Sequence, residues 1–516
     1  MEKNVLVATN ISKSYVGVRA LDKVSVTIKE GEVKCLAGEN GCGKSTFVKL
    51  MSGVELADKG EGTIVLNGRE IDKSKHNVIS AINEGIQVIY QDLSLFDNMT
   101  VAENIALNKM IKEKRKLTNK KEVYEIAKAA LEQIGVEMDL DAIIQEISIA
   151  NRQIVAICRA LALDAKLLFM DEPTTALTKK EIERLLDIVR ALKAKGIAVV
   201  FISHKLDEVM SVADSITVFR DGKLVKNMEK DEFDVKKLVY YMTGREVEYS
   251  HYERKNTSDA PVLELKNMTK TGQYNNINLS VRAGDIVGLT GLLGSGRTEL
   301  ALSVFGLNPI EKGEICLNGK PVKIGSPVDA VRNGIALLPE ERATQGLLLN
   351  KDMTDNVSVA ILKQMTNAVG ILNKKKRYDL ANQMIKRFRV RIPNADTLIK
   401  TLSGGNQQKV VLGKWVASEP KLFILDSPTV GVDIGSKSEI YEQIQALAAE
   451  GMAVIIISDE VEEICANCNR VTVMFQGNIV KEFDEADMKG EDAQDKITEA
   501  IHSLTKSKAG KESETV

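Results

Sequence analysis

The stretch "GENGCGKST", Gly38 to Thr46, follows the apolar run "VKCLA" and precedes residues that favour a helix. It fits the pattern G-x-x-x-x-G-K-[ST], whose glycines let consecutive backbone N–H groups curl around phosphate oxygens at a helix N-terminus. Lys44 is expected to reach the β and γ phosphates, and Ser45 to offer its hydroxyl to Mg²⁺. We predict that the whole stretch binds ATP: Gly38, Glu39, Asn40, Gly41, Cys42, Gly43, Lys44, Ser45 and Thr46.

An acidic strand end supplies the second part of this predicted site. Asp171 closes the apolar run "LLFMD", where it is placed to hold Mg²⁺ through water, and Glu172 follows it. Glu172 is a candidate general base for the attacking water, a role that typically contributes about 10²–10⁴-fold to a rate. An Asp-Glu pair alone is as often a solvated strand end. Its presence in one domain with a phosphate loop favours catalysis.

The chain is one unit written twice. "GEVKCLAGENGCGKST" matches "GDIVGLTGLLGSGRTE", and "ISIANRQIVAICRAL" matches "LSGGNQQKVVLGKWV". A repeat of this length indicates a duplicated domain. We predict domains at 1–245 and 262–500, joined by a polar linker at 246–261 that ends in proline, and a disordered tail at 501–516.

Each copy alternates short apolar runs with amphipathic helical stretches, which predicts an α/β fold with a mostly parallel sheet. An antiparallel β part is expected beside that sheet. Two stretches rich in charged and helix-forming residues, about 97–150 and 350–402, are predicted to be helical insertions between the strands.

The composition narrows the class of protein. Apolar content of 44% and charged content of 28% are those of a soluble globular protein. The net charge of −2 gives no support for a nucleic-acid surface. No apolar run approaches the roughly 20 residues that cross a bilayer, and the start lacks a signal peptide, so we expect the chain to stay in the cytoplasm.

The six cysteines are scattered, which predicts reduced thiols rather than a disulfide framework. Cys465 and Cys468 form a lone C-x-x-C inside a helical pattern, and we interpret them as structural. Cys42 lies inside the phosphate loop. A small buried residue is the favoured interpretation there, and a thiol whose alkylation inhibits the enzyme is the alternative.

The motif "LSGGNQQ" at 402–408, found together with a phosphate loop and "MDEPTTAL", resembles the signature of ABC-type ATPases. More closely, "ISHKLDEV", "VFRDGKLV" and "VGVDIGSKSEIY" resemble the fused double ATPase subunit of bacterial importers for monosaccharides such as ribose, galactose or xylose. The resemblance implies two domains paired head to tail. Each ATP then lies between one domain's phosphate loop and the other domain's signature serine.

Carried over motif by motif, the resemblance assigns further residues to the first ATP site. Tyr15 would stack on adenine. Gln91 would help hold the metal, sense the γ-phosphate and relay it to the membrane subunits. His204 would contact the γ-phosphate and steady the attacking water. The intact signature of the second copy would complete this site with Ser403, Gly404 and Gly405.

Plainer interpretations remain open for three of these residues. An aromatic residue such as Tyr15 is often ordinary core, and Gln91 alone would be a surface amide. His204 ends an apolar strand, where a structural imidazole is equally common.

The second copy differs in chemistry at the matching positions, and no aromatic residue clearly matches Tyr15. The substitutions are Arg297 for Lys44, Glu340 for Gln91, Ser427 for Glu172 and Asp459 for His204. The first copy's signature is altered instead, because Ile149 and Ala150 replace two glycines while Ser148 survives. Side chains at those positions are expected to obstruct close approach of the backbone to a nucleotide.

Head-to-tail pairing places every one of these changes in a single composite site. We predict that this degenerate site comprises Gly291, Gly294, Gly296, Arg297, Thr298, Asp426, Ser427 and Ser148. Arg297 keeps a positive charge and Thr298 a hydroxyl, which leaves binding of phosphate and Mg²⁺ open. Ser427 is a poor base, so hydrolysis there should be crippled.

Relatives commonly carry the arginine in the second loop, but they usually keep a glutamate at the position of Ser427 and a glycine and a glutamine in the first signature. Our hypothesis is one hydrolytic site and one binding or structural site. Asp433, at the turn expected to face the partner domain, is a further candidate contributor to the hydrolytic site.

The resemblance implies a subunit on the cytoplasmic face of the membrane, peripheral to two copies of a sugar permease and served indirectly by an extracytoplasmic sugar-binding protein. ATP and Mg²⁺ are the expected cofactors, and no nucleic-acid partner is expected.

A soluble double ABC protein acting on ribosomes is the rival, although such proteins usually have a long basic connector and two competent sites. A non-catalytic nucleotide-gated regulator conflicts with Glu172 and His204. The imported sugar is not specified by this sequence.

Overall fold

The computed structural model describes residues 3–58, 60, 62–114, 119–174, 177–203, 205–246, 251–255, 258–292, 294–367, 369–490 and 492–512. The chain divides into two compact units, Met1–Val247 and Glu248–Val516. Both units have the same architecture, as the sequence repeat predicts. No helix in these described ranges combines the length and the apolar character that crossing a bilayer would need.

The strands of the first unit are β1 Asn4–Tyr15, β2 Val18–Lys29, β3 Val33–Ala37, β4 Thr63–Leu66, β5 Arg69–Glu70, β6 Ile86–Ile89, β7 Leu167–Asp171, β8 Ala198–Ile202, β9 Ser215–Arg220 and β10 Lys223–Glu229. Its helices are α1 Lys44–Met51, α2 Val78–Asn83, α3 Val101–Lys112, α4 Lys120–Ile134, α5 Ile149–Leu161, α6 Lys179–Ala194, α7 Leu206–Val212 and α8 Val235–Thr243, with 3₁₀ turns at Ile144–Glu146 and Lys230–Glu232.

The described residues of this unit form an antiparallel sheet, ordered β2-β1-β4-β5, and a mostly parallel sheet, ordered β10-β9-β3-β8-β7-β6. Within the second sheet only the β9–β10 pair is antiparallel. Strands β3 and β8 are buried at every position, as is typical of parallel strands covered on both faces.

The strand order decides where the site forms. Strands β3, β8 and β7 are neighbours, so their carboxyl ends share one edge of the sheet. The phosphate loop follows β3, Asp171 ends β7, and Ser203 follows β8. In open α/β sheets ligands bind at this edge.

The strands of the second unit are β11 Pro261–Lys270, β12 Tyr274–Arg282, β13 Ile286–Gly291, β14 Lys312–Leu317, β15 Lys320–Val322, β16 Ile335–Leu338, β17 Leu422–Asp426, β18 Ala453–Ile457, β19 Arg470–Phe475 and β20 Asn478–Phe483. Its helices are α9 Arg297–Val304, α10 Pro327–Arg332, α11 Met353–Ser358, α12 Lys374–Arg387, α13 Gly404–Val416, α14 Ile434–Ala449, α15 Val461–Asn467, α16 Glu485–Met488 and α17 Ala493–Glu512, with 3₁₀ turns at Val359–Met365 and Ile399–Thr401 and a π turn at Arg342–Gly346.

The two sheets of the second unit repeat the order of the first unit, as β12-β11-β14-β15 and β16-β17-β18-β13-β19-β20. The α/β prediction, including the antiparallel part, is therefore confirmed. The predicted insertions are helical too, with α3 and α4 in one copy and α11 and α12 in the other.

A fully buried asparagine holds each insertion in the same way. Asn104 accepts from the Phe96 amide at 2.9 Å and donates to the Phe96 carbonyl at 3.1 Å. Asn356 does the same with Leu348, at 2.8 and 3.0 Å. Because these bonds satisfy both sides of the amide, a buried polar residue is tolerated there.

Part of the predicted linker is docked on the second unit. Tyr252 is buried, and its hydroxyl donates to the Gly284 carbonyl at 2.9 Å. Arg254 donates to the Ala283 carbonyl at 3.1 Å and lies 3.5 Å from the Asp285 carboxylate. One aromatic ring within a polar stretch is enough to anchor it, so residues 251–255 belong to the second unit rather than to a free linker.

The predicted disordered tail also differs from the structure. Helix α17, Ala493–Glu512, starts before the tail and continues through most of it. Ile497 is fully buried and fixes its first turns, and the Ala, Lys and Glu residues that follow favour a helix. Residues 513–516 lie outside the described part of the chain.

We predict that Tyr252→Ala lowers the free energy of unfolding of the second unit by about 3 kcal/mol, because a buried aromatic ring and its hydrogen bond are lost. The chain's single tryptophan, Trp415, packs edge-on against Phe305 at 5.4 Å between ring centroids, so its fluorescence reports on this unit. Tyr240→Ala, at an exposed position of the first unit, is the control. An unchanged tryptophan transition in Tyr252→Ala would show that the segment is a free linker.

Candidate phosphate sites

The first phosphate loop has a backbone that requires glycine. Gly38 has φ 145° and Gly43 has φ 109°, both in the region that side chains rarely adopt. A β carbon would lie 2.3 Å from the Phe219 carbonyl oxygen at the first position and 2.6 Å from that of Ala20 at the second. The loop therefore keeps its tight curl only with glycine at both positions.

The start of α1 is suited to an anion. Its N-cap is Gly43, which provides no side-chain hydrogen bond, and its first turn holds no acidic residue. The helix therefore presents N–H groups and the positive end of its dipole to the loop. Lys44 Nζ donates to the carbonyl oxygens of Gly38 at 2.6 Å and Glu39 at 3.0 Å, and Ser45 beside it is exposed.

Tyr15 lies beside this helix start, at the end of β1. Its hydroxyl donates to the Glu55 carboxylate, and the Lys13 ammonium lies 5.2 Å from the ring centroid. Burial and Glu55 raise the pKa of Tyr15, whereas a hydrogen bond with Thr46 lowers it. Tyr15 is 41% exposed, so it is not ordinary core, and its role in stacking on adenine stays a prediction.

The acidic pair lies where the strand order places it. Asp171 is the last residue of β7, and the pKa of its carboxyl is raised by burial and by Glu172 and lowered by Lys44. Glu172 has φ 48°, and its amide donates to the Ile202 carbonyl at 2.9 Å. This left-handed turn fixes the backbone from which the Glu172 carboxylate projects.

Two other predicted residues are placed less fully. Gln91 is exposed and lies two residues beyond the end of β6. Strand β6 is the neighbour of β7 in the sheet. His204 lies outside the described residues, between Ser203 and Lys205. The roles predicted for both remain predictions.

The sequence did not reveal Glu208, a buried carboxylate behind this site. Its Oε2 accepts from the Thr174 hydroxyl at 2.7 Å and from the Ser203 hydroxyl at 2.9 Å, and Lys205 Nζ lies 3.3 Å from Oε1. Thr174 is two residues after Glu172, and Ser203 directly precedes His204. Glu208 therefore ties together the two turns that carry the predicted base and the predicted histidine.

The second unit repeats the threonine bond of this arrangement, with a tyrosine in place of the serine. Glu463 Oε2 accepts from the Thr429 hydroxyl at 2.7 Å and from the Tyr441 hydroxyl at 2.5 Å, while Lys437 Nζ lies 2.7 Å from Oε1. The available sequence signal was the shared glutamate in "SHKLDEV" and "SDEVEEI". It was overlooked because a glutamate on a short helix usually faces solvent.

The second phosphate loop keeps the backbone of the first. Gly291 has φ 149° and Gly296 has φ 93°, and a β carbon would lie 2.1 Å from the Met474 carbonyl and 2.5 Å from the Gln273 carbonyl. Gly294 has φ 75°, close to the 81° of Gly41. The divergence between the two loops is therefore in side chains rather than in backbone shape.

The side chains of the second loop are paired with protein groups. Arg297 forms an ion pair with Asp459, with 2.5 Å between Nη2 and Oδ1. The Thr298 hydroxyl donates to Asp426 Oδ2 at 2.8 Å, and Ser427 Oγ lies 3.4 Å from Asp426 Oδ1. Ser427 has φ 49° and its amide donates to the Ile457 carbonyl at 2.9 Å, which reproduces the turn of Glu172.

The carboxyl of Asp426 is in an unfavourable place for a charge. Burial raises its pKa, the Thr298 hydrogen bond lowers it, and the charge of Glu340 raises it. Glu340 stands where the first unit has the neutral Gln91. At this position the second site therefore carries a carboxylate that the first site lacks.

The packing of the second unit itself requires glycine at the two signature positions, Gly404 and Gly405. Ser403 is the N-cap of α13, and Asn406 donates to its hydroxyl at 3.0 Å. A β carbon at Gly405 would lie 2.5 Å from the side chain of Ser436, and one at Gly404 would lie 2.9 Å from the Gly431 carbonyl. Glycine at these two positions also admits the turn before α14. Asp433 caps that helix by accepting from the Ser436 amide at 2.9 Å.

In the first unit the same helix start is packed differently. Ser148 caps α5, accepting from the Asn151 amide at 3.3 Å, and Ile149 is half exposed. Ala150 and Glu181 line a cleft between α5 and α6. Glu181 stands where the second unit has Ser436, and its carboxylate accepts from the Thr178 amide at 2.8 Å.

All six cysteines are unpaired thiols. Cys42 is buried, and burial raises its pKa although the Lys44 charge lowers it, which favours the structural interpretation. Burial raises the pKa of Cys465 to about 11 and that of Cys468 well above its usual range. Neither belongs to a cluster of potential metal ligands within the described residues.

Comparison with known proteins places this architecture in a family. The family model described as "ABC transporter" matches residues 21–175 and 274–430. A ribose import ATP-binding protein of Clostridium perfringens is 40% identical over 490 residues, covering 94% of this chain and 97% of the relative. A putative ribose/galactose/methyl galactoside import ATP-binding protein of Agrobacterium fabrum is 38% identical over 489 residues, covering 94% and 95%.

Among solved structures, an ATP-binding cassette of an ABC transporter in its ADP conformation is 28% identical with a TM-score of 0.42, covering 47% of this chain and 99% of that one. The family match and the full-length relatives show that the chain belongs to the ABC transporter family as a fused double ATP-binding subunit. It binds ATP and is an ATPase.

We predict that Glu208→Ala lowers kcat for ATP hydrolysis by about tenfold with little change in KM. It removes the shared acceptor of two buried hydroxyls, an effect of about 1–3 kcal/mol on the geometry of the turns. Glu208→Gln, which keeps an acceptor oxygen, should retain part of the activity. Steady-state phosphate release provides the measurement.

Glu463→Ala is the matched control for this change. It removes the matching threonine bond and a tyrosine bond from the second unit, so it should destabilise that unit, as seen by Trp415 fluorescence, without the same loss of kcat. Equal losses of kcat in both variants would contradict a positioning role that is specific to the first site.

Proposed function

We propose that this protein is the ATP-hydrolysing, energy-coupling subunit of an importer for a monosaccharide of the ribose or galactose class. Support for the substrate class comes from relatives named for ribose and for ribose, galactose or methyl galactoside import, which match nearly the whole chain. Support for the chemistry comes from the first phosphate loop and the acidic pair beside it.

The first site carries the hydrolysis in this proposal. Glu172 accepts a proton from the attacking water while the water oxygen bonds to the γ-phosphorus and ADP leaves. Lys44 and the N–H groups of α1 balance the phosphate charge. The turn that carries Glu172 is tied to Glu208 through Thr174, and this bond holds Glu172 in position.

Mg²⁺ suits the residues of the first site. An exposed hydroxyl on α1, Ser45, and a carboxylate at the end of β7, Asp171, are the oxygen ligands this ion prefers. They would hold the ion, with Gln91 as a further ligand, and the ion would neutralise phosphate charge when bound. Burial and the charge of Glu172 raise the pKa of Asp171, whereas the charge of Lys44 lowers it.

The second site is degenerate in this proposal, and one contrast carries the idea. The two loops have the same glycine conformations and the same strand-end turns, yet Ser427 replaces Glu172 and Asp459 stands at the position of His204. A serine hydroxyl is far too weak a base to replace a carboxylate. Head-to-tail pairing of the domains then gives one hydrolytic composite site, completed by Ser403, and one site that does not hydrolyse.

The partners follow from this role. The subunit is proposed to lie at the cytoplasmic face of the membrane, bound to two sugar permease subunits, with an extracytoplasmic sugar-binding protein delivering the substrate to them. Gln91 and the helical insertions would transmit the closure and reopening of the domains. Asp433, at the start of α14, is proposed to contribute to the hydrolytic site.

Glu172→Gln should lower the steady-state rate of ATP hydrolysis by a factor of about 10²–10⁴, because the amide cannot accept the proton of the attacking water. Phosphate release from the complex with its permease is the measurement. Ser427→Glu in the otherwise unchanged chain is the matched variant, and we expect it to leave the rate of the first site intact. Substantial activity surviving in Glu172→Gln would refute the assignment.

The transport role is tested separately in cells. A strain lacking this chain should lose uptake of labelled ribose or galactose, and the chain, but not Glu172→Gln, should restore it. Purification from membranes should recover a polytopic membrane protein with the chain. Recovery with ribosomes instead, and unimpaired sugar uptake, would support the rival class of double ABC protein.

A further inference from the structure

Arg297, the cation of the second phosphate loop, is enclosed by groups of its own unit. Its side chain is only 8% exposed. Besides the ion pair with Asp459, Nη1 donates to the Ser458 carbonyl at 3.2 Å and Nη2 to the Leu292 carbonyl at 3.5 Å. The guanidinium is thus already engaged on several sides.

The partner of Arg297 comes from the position where a γ-phosphate contact would be expected. Asp459 follows Ser458 at the end of β18, as His204 follows Ser203 at the end of β8. A guanidinium recognises carboxylate and phosphate with the same planar donor geometry. The Asp459 carboxylate therefore satisfies Arg297 as a phosphate oxygen would.

The hydroxyl group of the second loop also has a partner within the protein. Thr298, which matches the predicted metal ligand Ser45, donates to Asp426 at 2.8 Å. In the first loop, by contrast, the Lys44 ammonium donates to neutral carbonyl oxygens of its own turn, those of Gly38 and Glu39. A phosphate entering the first loop meets an ammonium that is bound to carbonyls and has Asp171 nearby, whereas one entering the second loop meets a guanidinium already held in an ion pair.

The net charges of the two sites also favour nucleotide binding at the first loop over the second. The described acidic and basic side chains of Gly38–Thr46 and of the acidic pair are Glu39, Lys44, Asp171 and Glu172, which sum to −2. Those at the matching positions of the second unit are Arg297, Glu299, Glu340, Asp426 and Asp459, which sum to −3. A nucleotide triphosphate is therefore repelled more strongly by the second loop.

We propose that Asp459 is a built-in anion that takes the place of a nucleotide phosphate on Arg297 of the second phosphate loop, so that each chain binds one ATP. The proposal deepens the asymmetry stated under Proposed function and rests on it. The second unit would then hold the backbone shape of a loaded loop without a ligand.

The test counts bound nucleotides in the full chain with its permease. Equilibrium dialysis with labelled ATP and Mg²⁺ is carried out in the Glu172→Gln background, which prevents turnover. One ATP per chain is expected with Asp459 in place. Asp459→Asn and Asp459→His should each create a second site, with an affinity raised about tenfold or more because a like charge is removed from the phosphate.

Two further variants separate this effect from general ones. Glu462→Gln removes a negative charge from an exposed position of the same segment without touching Arg297, and should leave one ATP per chain. Arg297→Ala combined with Asp459→Asn should return the count to one, because the cation of the loop is gone. Trp415 fluorescence verifies that the second unit is folded in each variant.

Two equivalent ATP per chain with Asp459 present would overturn the proposal. So would a count of one in both folded Asp459 variants. Failure of the proposed hydrolytic asymmetry is a different result, since it appears as phosphate release that survives in the Glu172→Gln background, whatever the number of nucleotides bound.

Discussion

The steric demand of the phosphate loop is the constraint on which each unit depends. At the first position of the loop a β carbon would lie 2.1–2.3 Å from a neighbouring carbonyl oxygen, at Gly291 and Gly38 alike. Glycine there lets the chain leave the central strand and enter a helix within one tight turn. That turn directs a helix N-terminus at the sheet edge where the acidic strand ends also lie, so the fold and the site have the same cause.

Duplication preserved this framework while the side chains diverged. Both units retain the loop conformation, the left-handed residue after the strand-end aspartate, and the buried glutamate that holds the next turn. The side chains that we propose to act on phosphate differ between the two copies. A backbone shaped for phosphate persists in the second unit because it is needed for packing, and an arginine and an aspartate now satisfy each other there.

Much of the fold was predictable because its signals are local. The apolar runs, the glycine pattern and the repeat indicated two α/β units, and the charged stretches indicated helical insertions. Tyr252 and Glu208 were missed for a physical reason. Each lies in a polar or exposed-looking stretch and is buried by residues distant in sequence, such as Gly284 and Thr174. The Arg297–Asp459 ion pair likewise joins two positions that only the sheet order brings together.

The central claim is that one of two similar loops performs the chemistry. The most direct test is to trap a photoreactive ATP analogue with vanadate during turnover, crosslink it, and map the labelled peptides by mass spectrometry. Label confined to peptides containing Gly38–Thr46 is the predicted result. Comparable label on peptides containing Gly291–Thr298 would contradict the claim that the second loop takes no part in hydrolysis.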